Sequence, residues 1–320
     1  MRAAVLRELG QIPTVAEFGD PEDDAAARSG DAVVLEVLAA GLNPIDLRVA
    51  SGALADRRPD VPSVVGSEGV GRTQDGRRVY FRRTVAPFGS IAERTLVPED
   101  ALVDVPDGLD AAVAVACGIA GSAGWGALTR VAKLQRGEKV LVLGASGVVG
   151  NVAVQVAKLL GAGSVTAAAR SAEGLERARE RGASKTVQIA DELTGEGLTK
   201  AFLAAGGPFD LVIDPLWGAP ASAALEALAT RGRLVQLGQS AGTEATFSPV
   251  RLRFSELSIL GYTNFLSTPE EERAALDALW GYAAKKKLTI DIESVALDDA
   301  ADAWRRQADS PRRKLVIVPN

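Results

Sequence analysis

Between residues 139 and 262 the chain alternates short apolar runs with stretches of helical period, and this alternation restricts its folding more than any other feature. The runs read as strands at Lys139–Leu143, Ser164–Ala168, Thr186–Ile189, Asp210–Ile213 and Arg233–Leu237, with Ser258–Tyr262 closing the series. Helices are predicted at about 148–160, 172–181, 192–205 and 219–229. In the first of these, Val152, Val156 and Leu159 share one face and Lys158 takes another. Strands this apolar are buried on both faces, so the segment predicts a parallel, doubly wound sheet covered by helices.

The flanks read differently. Val33–Gly41 is β-branched and bounded by turn residues, and short strands follow at 63–73, 77–82 and 89–97, separated by Gly, Pro and Asp. Asn43-Pro44 marks a turn, with a short helix from Ile45 to Ala50. After residue 262 come a helix at 269–284, a strand at 290–296, a helix at 298–308 and a strand at 314–318. The expected architecture is α/β: a β-rich domain from 1–110 and 263–320, interrupted by a doubly wound domain over 111–262. Residues 111–128 carry no charge, but seven are alanine and four glycine. They read as two close-packed buried helices rather than a membrane span.

Composition removes whole classes of chemistry. The 320 residues include one cysteine, Cys117, and no histidine. Ser-His-Asp and Cys-His nucleophiles, histidine acid–base catalysis and the common zinc sites are excluded, and no metal site is expected. A net charge of −5 with scattered Lys and Arg gives no nucleic-acid or anionic-membrane footprint. The first residues lack the apolar run of a signal peptide, so the expected location is cytoplasmic.

The most informative segment is Leu141-Val142-Leu143-Gly144-Ala145-Ser146-Gly147-Val148-Val149-Gly150, a buried strand entering a glycine turn and then a helix. Its Gly-x-x-Gly-x-x-Gly order departs by one position from the dinucleotide fingerprint but retains its physics. Ala145 or Ser146 can lie close to a pyrophosphate, Gly147 permits backbone approach, and Gly150 lets helix and strand pack tightly. The helix start at Val148 and Val149 offers free N–H groups and a positive dipole. The bland alternative is a plain tight turn. The next strand ends Ala167-Ala168-Ala169-Arg170-Ser171, with no acid to hold a ribose 2′-hydroxyl. Arg170 opposes the dipole of the helix it begins, which makes sense beside a 2′-phosphate, and Ser171 can add a hydrogen bond. The expected cofactor is therefore NADPH, the alternative for Arg170 being a solvated side chain. Gly238-Gln239-Ser240-Ala241-Gly242 imitates a nucleophile elbow but has no histidine to serve it. Leu237, Gly238 and Gln239 read instead as part of the ligand-binding edge of the sheet.

A series of segments, in order, resembles one family. Gly41-Leu42-Asn43-Pro44-Ile45-Asp46, Gly66-Ser67-Glu68-Gly69-Val70-Gly71, Gly89-Ser90-Ile91-Ala92-Glu93, the Gly144–Gly150 turn and Phe209-Asp210-Leu211-Val212-Ile213-Asp214 are similar to the zinc-free, quinone oxidoreductase-like branch of the medium-chain dehydrogenase/reductase superfamily. Ser67 stands where zinc alcohol dehydrogenases carry a histidine ligand. The resemblance covers nearly the whole chain. It implies a GroES-like β-rich domain plus a doubly wound Rossmann domain, NADPH in the cleft, and hydride transfer to a quinone or an α,β-unsaturated carbonyl compound. It also implies a homodimer paired through Ser258–Tyr262.

The chain departs from that pattern at Arg48, where zinc-free members often carry a tyrosine, and in the glycine-rich Gly118–Gly124. Asn43 and then Arg48 are the candidates for polarising the acceptor carbonyl, Arg48 through a permanent charge. The structural alternative for Asn43 is a helix N-cap before Pro44. Tyr80 is a candidate proton donor, or else a core residue with a solvated hydroxyl. Lys314 is a candidate for the cofactor phosphates, or else a strand-edge lysine. The expected partner is a small-molecule substrate. The competing functions are an alcohol or imine oxidoreductase and a non-enzymatic NADPH-binding protein.

Overall fold

The computed structural model describes residues 1–190 and 193–319, and the chain divides into two compact units. One comprises Met1–Ala120, Leu276–Ala284 and Ile290–Asn320, the other Gly121–Ala275 and Lys285–Thr289. The strands, numbered along the chain, are β1 Arg2–Leu6, β2 Thr14–Glu17, β3 Ala32–Gly41, β4 Ser63–Val64, β5 Glu68–Arg72, β6 Arg78–Phe81, β7 Arg94–Pro98 and β8 Val103–Asp104 in the first stretch. β9 Lys139–Leu143, β10 Ser164–Ala169, β11 Lys185–Gln188, β12 Phe209–Asp214, β13 Leu228–Gln236 and β14 Ser258–Gly261 follow. β15 Ile292–Ala296 and β16 Lys314–Val318 return to the first unit.

The first unit is β-rich. Its larger sheet runs β15-β16-β3-β5-β6-β8, with β7 also paired to β3, and a smaller sheet runs β2-β1-β4. Leu6, Val37, Leu42, Ile91, Trp304 and Leu315 meet in its main core. The boundaries expected at residues 110 and 263 shift to 120 and 275. The apolar helix Ala111–Ala116 packs on β3, β5, β15 and β16, and Trp280 donates its indole N–H to the Ala114 carbonyl at 3.1 Å. Burying those side chains therefore ties both segments to the β-rich unit.

Residues 111–131 form one apolar run, Ala111–Val131, kinked at Gly118 into two helical stretches that follow one another along the chain. Asp110 caps it by accepting from Val113 N–H, and Gly118 interrupts it with ψ −120°, leaving wide turns at 117–121 and 127–131. Its length and hydropathy would suit a membrane, yet 67% of the apolar window is buried within the fold.

The second unit holds six parallel strands in the order β11-β10-β9-β12-β13-β14. This is the doubly wound arrangement, with the chain reversing its direction of travel between β9 and β12. β9 and β12 have uniformly apolar interiors because helices cover both sheet faces. The helices Val148–Leu159, Ala172–Glu180 and Gly218–Glu226 fall within a few residues of their sequence positions. The helix expected from 192 is observed from Gly195 to Ala204, residue 192 lying outside the described residues. β13 begins at Leu228, five residues before the expected 233, because buried Leu228 pairs with Phe209 ahead of a register shift. Arg231, at φ +63°, sits in the turn-like backbone that this shift requires.

Candidate functional site

The carboxyl ends of β9, β10, β12 and β13 carry one set of candidate residues. Gly144 bends the chain at φ +61°, and a Cβ on Gly150 would overlap the Gly144 carbonyl, so only glycine allows strand and helix this close. The N–H groups opening Val148–Leu159, at Val148 and Val149, have no partner within the helix, and Gly147 at its cap has no side chain to offer. Ala145 is buried, its N–H donating to Ala168 O at 3.1 Å, whereas Ser146 and Gly147 are half-buried. A Cβ on Gly174 would collide with Ser146, which places the first turn of Ala172–Glu180 directly against the glycine turn. Ser171 caps that helix through Gly174 N–H at 3.1 Å. Arg170 beside it is exposed, and its guanidinium has no hydrogen bond or ion pair among the described residues. Ala145 to Val149, Arg170 and Ser171 thus lie along one edge, suited to an anionic dinucleotide.

Leu237, Gly238 and Gln239 follow β13 on the same edge, with Leu237 N–H donating to Asp214 O at 2.8 Å. Ser240 donates to Pro215 O at 3.3 Å, a further sign that it is no nucleophile. Asp214, at the end of β12, is buried. Its Oδ1 accepts from Leu216 N–H at 2.8 Å and Trp217 N–H at 2.9 Å, while its Oδ2 has no partner among the described residues. Burial pushes its pKa up to about 6 against those two bonds. Trp217 is held at φ +57°, a conformation costing roughly 1–3 kcal/mol in a non-glycine residue.

The β-rich unit assembles a second cluster, and it is sealed. Glu68 is fully buried and accepts four bonds: Lys314 Nζ at 2.7 Å and Asn43 Nδ2 at 2.9 Å on Oε1, and Tyr80 OH at 2.9 Å and Ile119 N–H at 2.7 Å on Oε2. The break at Gly118 frees the Ile119 N–H for this bond, and a Cβ there would strike both Glu68 and Tyr80. Lys314, 2% exposed, also donates to Asn43 Oδ1 at 2.6 Å and Leu42 O at 3.3 Å. Asp46 accepts from Asn43 N–H at 2.8 Å and from the Ser67 hydroxyl. Burial pushes Asp46 up to about 6, although those bonds and the charge of Lys314 pull the other way.

Three sequence assignments are corrected by this geometry. Lys314 is neither a strand-edge lysine nor open to phosphate: β16 lies inside the sheet, and all three ammonium protons have protein acceptors. Asn43 has no donor left for a substrate carbonyl, since both Nδ2 hydrogens are committed, the second to Gly41 O at 3.2 Å. It stands instead at the N-cap position of the helix Pro44–Ala50, where Asp46 accepts its backbone N–H. Tyr80 is a core residue with a dry hydroxyl bound to Glu68 and its ring edge-on to Trp280. Arg48 alone of the catalytic candidates is exposed, with no side-chain partner among the described residues. Sequence reasoning does not single out Glu68 or Asp214. A carboxylate at the end of an otherwise apolar strand is the available signal, because a buried charge demands partners.

The zinc of related dehydrogenases does not fit here. Cys117 is buried with its thiol pushed up to about 12, opposing the thiolate a metal needs, and no group of three His, Cys, Asp or Glu is placed to hold an ion among the described residues.

Residues 148–281 match the family described as zinc-binding dehydrogenase. The chain is 30% identical over 285 residues to the quinone oxidoreductase of Lama guanicoe and 31% identical over 285 residues to that of Homo sapiens, covering 84% of each partner in both cases. It superposes on the quinone oxidoreductase from Thermus thermophilus, also solved in complex with NADPH, at a TM-score of 0.83 and 32% identity, covering 99% of this chain and all of that one. It is also 29% identical to a phenolphthiocerol/phthiocerol polyketide synthase polypeptide of Mycobacterium tuberculosis, where 99% of this chain spans only 15% of that protein's length. With its doubly wound unit, its β-rich unit and these similarities over most of its length, the chain belongs to the quinone oxidoreductase-like branch of the medium-chain dehydrogenase/reductase superfamily.

Proposed function

We propose that the protein is an NADPH-dependent, zinc-independent oxidoreductase delivering hydride to a quinone or an α,β-unsaturated carbonyl compound. The observation carrying this reading is the edge of the doubly wound unit where the glycine turn lies together with Arg170, exposed and without a side-chain partner among the described residues. Ala145 to Val149 and the helix start would hold the pyrophosphate, Arg170 and Ser171 the 2′-phosphate, and Leu237 to Gln239 the opposite side. Bound there, NADPH supplies the hydride. Arg48 offsets the negative charge that develops on the acceptor oxygen, and its permanent charge suits it to a metal-free site.

Single-turnover hydride transfer tests the assignment. In Arg48→Met the rate falls at least tenfold, ~1.4 kcal/mol of transition-state stabilisation, with NADPH affinity unchanged. A native rate would remove Arg48 from the chemistry. The sealing of Asn43 and Tyr80 favours a second reading, a non-enzymatic NADPH-binding protein, and multiple-turnover NADPH consumption with quinones and enones separates the two. Alcohol or imine acceptors belong in the same panel.

The proposal includes a homodimer. β14 is the outermost strand of its sheet, and the adjoining helix Pro249–Phe254 exposes Val250 and, at 82%, Phe254. An apolar sheet edge of this kind is normally covered, and pairing across a two-fold axis covers it. Sedimentation at micromolar concentration reports the mass, and a monomer would refute the dimer.

A further inference from the structure

Asp214 closes β12 at the point where the strand order reverses, next to the glycine turn. A Cβ on Gly144 would lie 3.1 Å from Pro215 and 3.0 Å from Leu216, so the turn after β12 forms the wall facing the turn after β9. The same turn is tied to the segment after β13. Ala241 N–H donates to Leu216 O at 2.8 Å, and a Cβ on Gly238 would lie 2.8 Å from Pro215 O. Its backbone is strained, with Trp217 at φ +57° and Gly218 at φ +67° in succession. One carboxylate oxygen restrains it, Asp214 Oδ1, through the two N–H groups of Leu216 and Trp217. The other oxygen, Oδ2, is buried without a partner among the described residues.

We propose that Asp214 is a positioning residue of the dinucleotide site: its ionised carboxylate holds the 215–218 turn in the shape that accepts the cofactor, and protonation loosens that turn and weakens binding. Hydrogen bonds from backbone N–H groups to an ionised acceptor are roughly twice as strong as those to a neutral one, so adding a proton removes much of the restraint. The titration falls in an accessible range because burial raises the pKa to about 6. No charged side chain acts on Asp214 among the described residues. On β13 its register partner is Gln236. Lys139 on β9, Asp210 on β12 and Arg233 on β13 lie toward the opposite edge of the sheet, as do Lys158 and Glu226 at the ends of the covering helices. Glu244, beyond the segment after β13, is exposed.

This inference rests on the dinucleotide reading above. Its test measures the dissociation constant of NADP⁺, which is stable in acid, from pH 5 to 8 in the native protein and in Asp214→Asn. Asparagine retains an oxygen for the two N–H groups but cannot titrate. The ratio of the two constants cancels the titration of the ligand's own phosphate. We expect the native constant to rise at least fivefold relative to the variant between pH 7.5 and 5, within the roughly tenfold ceiling that a single group titrating near pH 6 allows. A ratio independent of pH overturns the proposal, while absence of NADP⁺ binding to the native protein at every pH overturns the dinucleotide reading itself. If Asp214→Asn does not fold, the fluorescence of Trp217 reports the turn directly. A step centred near pH 6 in the native protein that vanishes in Trp217→Phe supports the proposal, and its absence refutes it.

Discussion

The two units treat polar groups in opposite ways. In the β-rich unit, Glu68, Lys314, Asn43 and Tyr80 are buried and bind one another, and the Lys314 ammonium has an acceptor for each proton. On the edge of the doubly wound unit, Arg170 is exposed and the N–H groups opening Val148–Leu159 are unclaimed, both without a partner among the described residues, and Trp217 is strained. A saturated cluster has no capacity left for a ligand, whereas an unsaturated one retains it. Glycines serve both ends, since Gly118 lets the backbone N–H of Ile119 reach Glu68 and Gly150 lets a helix start approach a strand end. The difference teaches that a polar residue's partners, not its presence in a suggestive motif, separate scaffold from site.

The contrast breaks most easily at its sealed end. Lys314→Met leaves the Glu68 carboxylate buried without its counter-charge, and the loss of stability is expected to be about 3–5 kcal/mol in urea unfolding. The folded fraction should bind NADPH normally. Unaltered stability with lost cofactor affinity would restore Lys314 to the phosphates.

Asp46 gives the next effect, and it depends on pH. Its folded pKa, about 6, lies above the ordinary value of 3.8, so the native state holds more protons than the unfolded chain between those values and native stability falls as pH rises through them. Asp46→Asn lacks this dependence. Its stability relative to the native protein should therefore improve by ~3 kcal/mol between pH 3.5 and 7, read from denaturant midpoints at each pH. Parallel pH profiles for the two proteins would show that Asp46 is not desolvated.

At the open edge the effects are smaller and fall on binding. NADPH should bind at least tenfold more tightly than NADH, ~1.4 kcal/mol. Arg170→Ala should erase most of that preference and leave NADH binding nearly unchanged, as titration calorimetry can show. Equal native affinities would sink the role given to Arg170. The smallest effect is on stability: Arg170→Ala and Arg48→Met should each unfold within about 0.5 kcal/mol of the native protein, as exposed side chains without partners do. A larger loss in either would mean that the open edge also helps to hold the fold.

Arg170 and Lys314 show how far sequence reading extends. Arg170 is legible because its position follows from local order: strand, turn and helix start are set by a few neighbouring residues. Lys314 reads as equally suited to phosphate, yet its ammonium meets Leu42, Asn43 and Glu68, between 246 and 272 residues away in the chain. Nothing local to residue 314 reveals those partners. Asn43 misleads in a related way. Its place before Pro44 marks the helix correctly, but β16 and β5 decide where its amide points.

The sequence by itself determined the parallel sheet, the β-rich flanks, the glycine turn and the absence of imidazole chemistry, because apolar period, turn residues and composition act over short stretches of chain. Tertiary structure alone decided which polar groups satisfy one another. Burial costs free energy for every unpaired donor, acceptor or ion, and only the packed fold brings distant strands close enough to supply the partners.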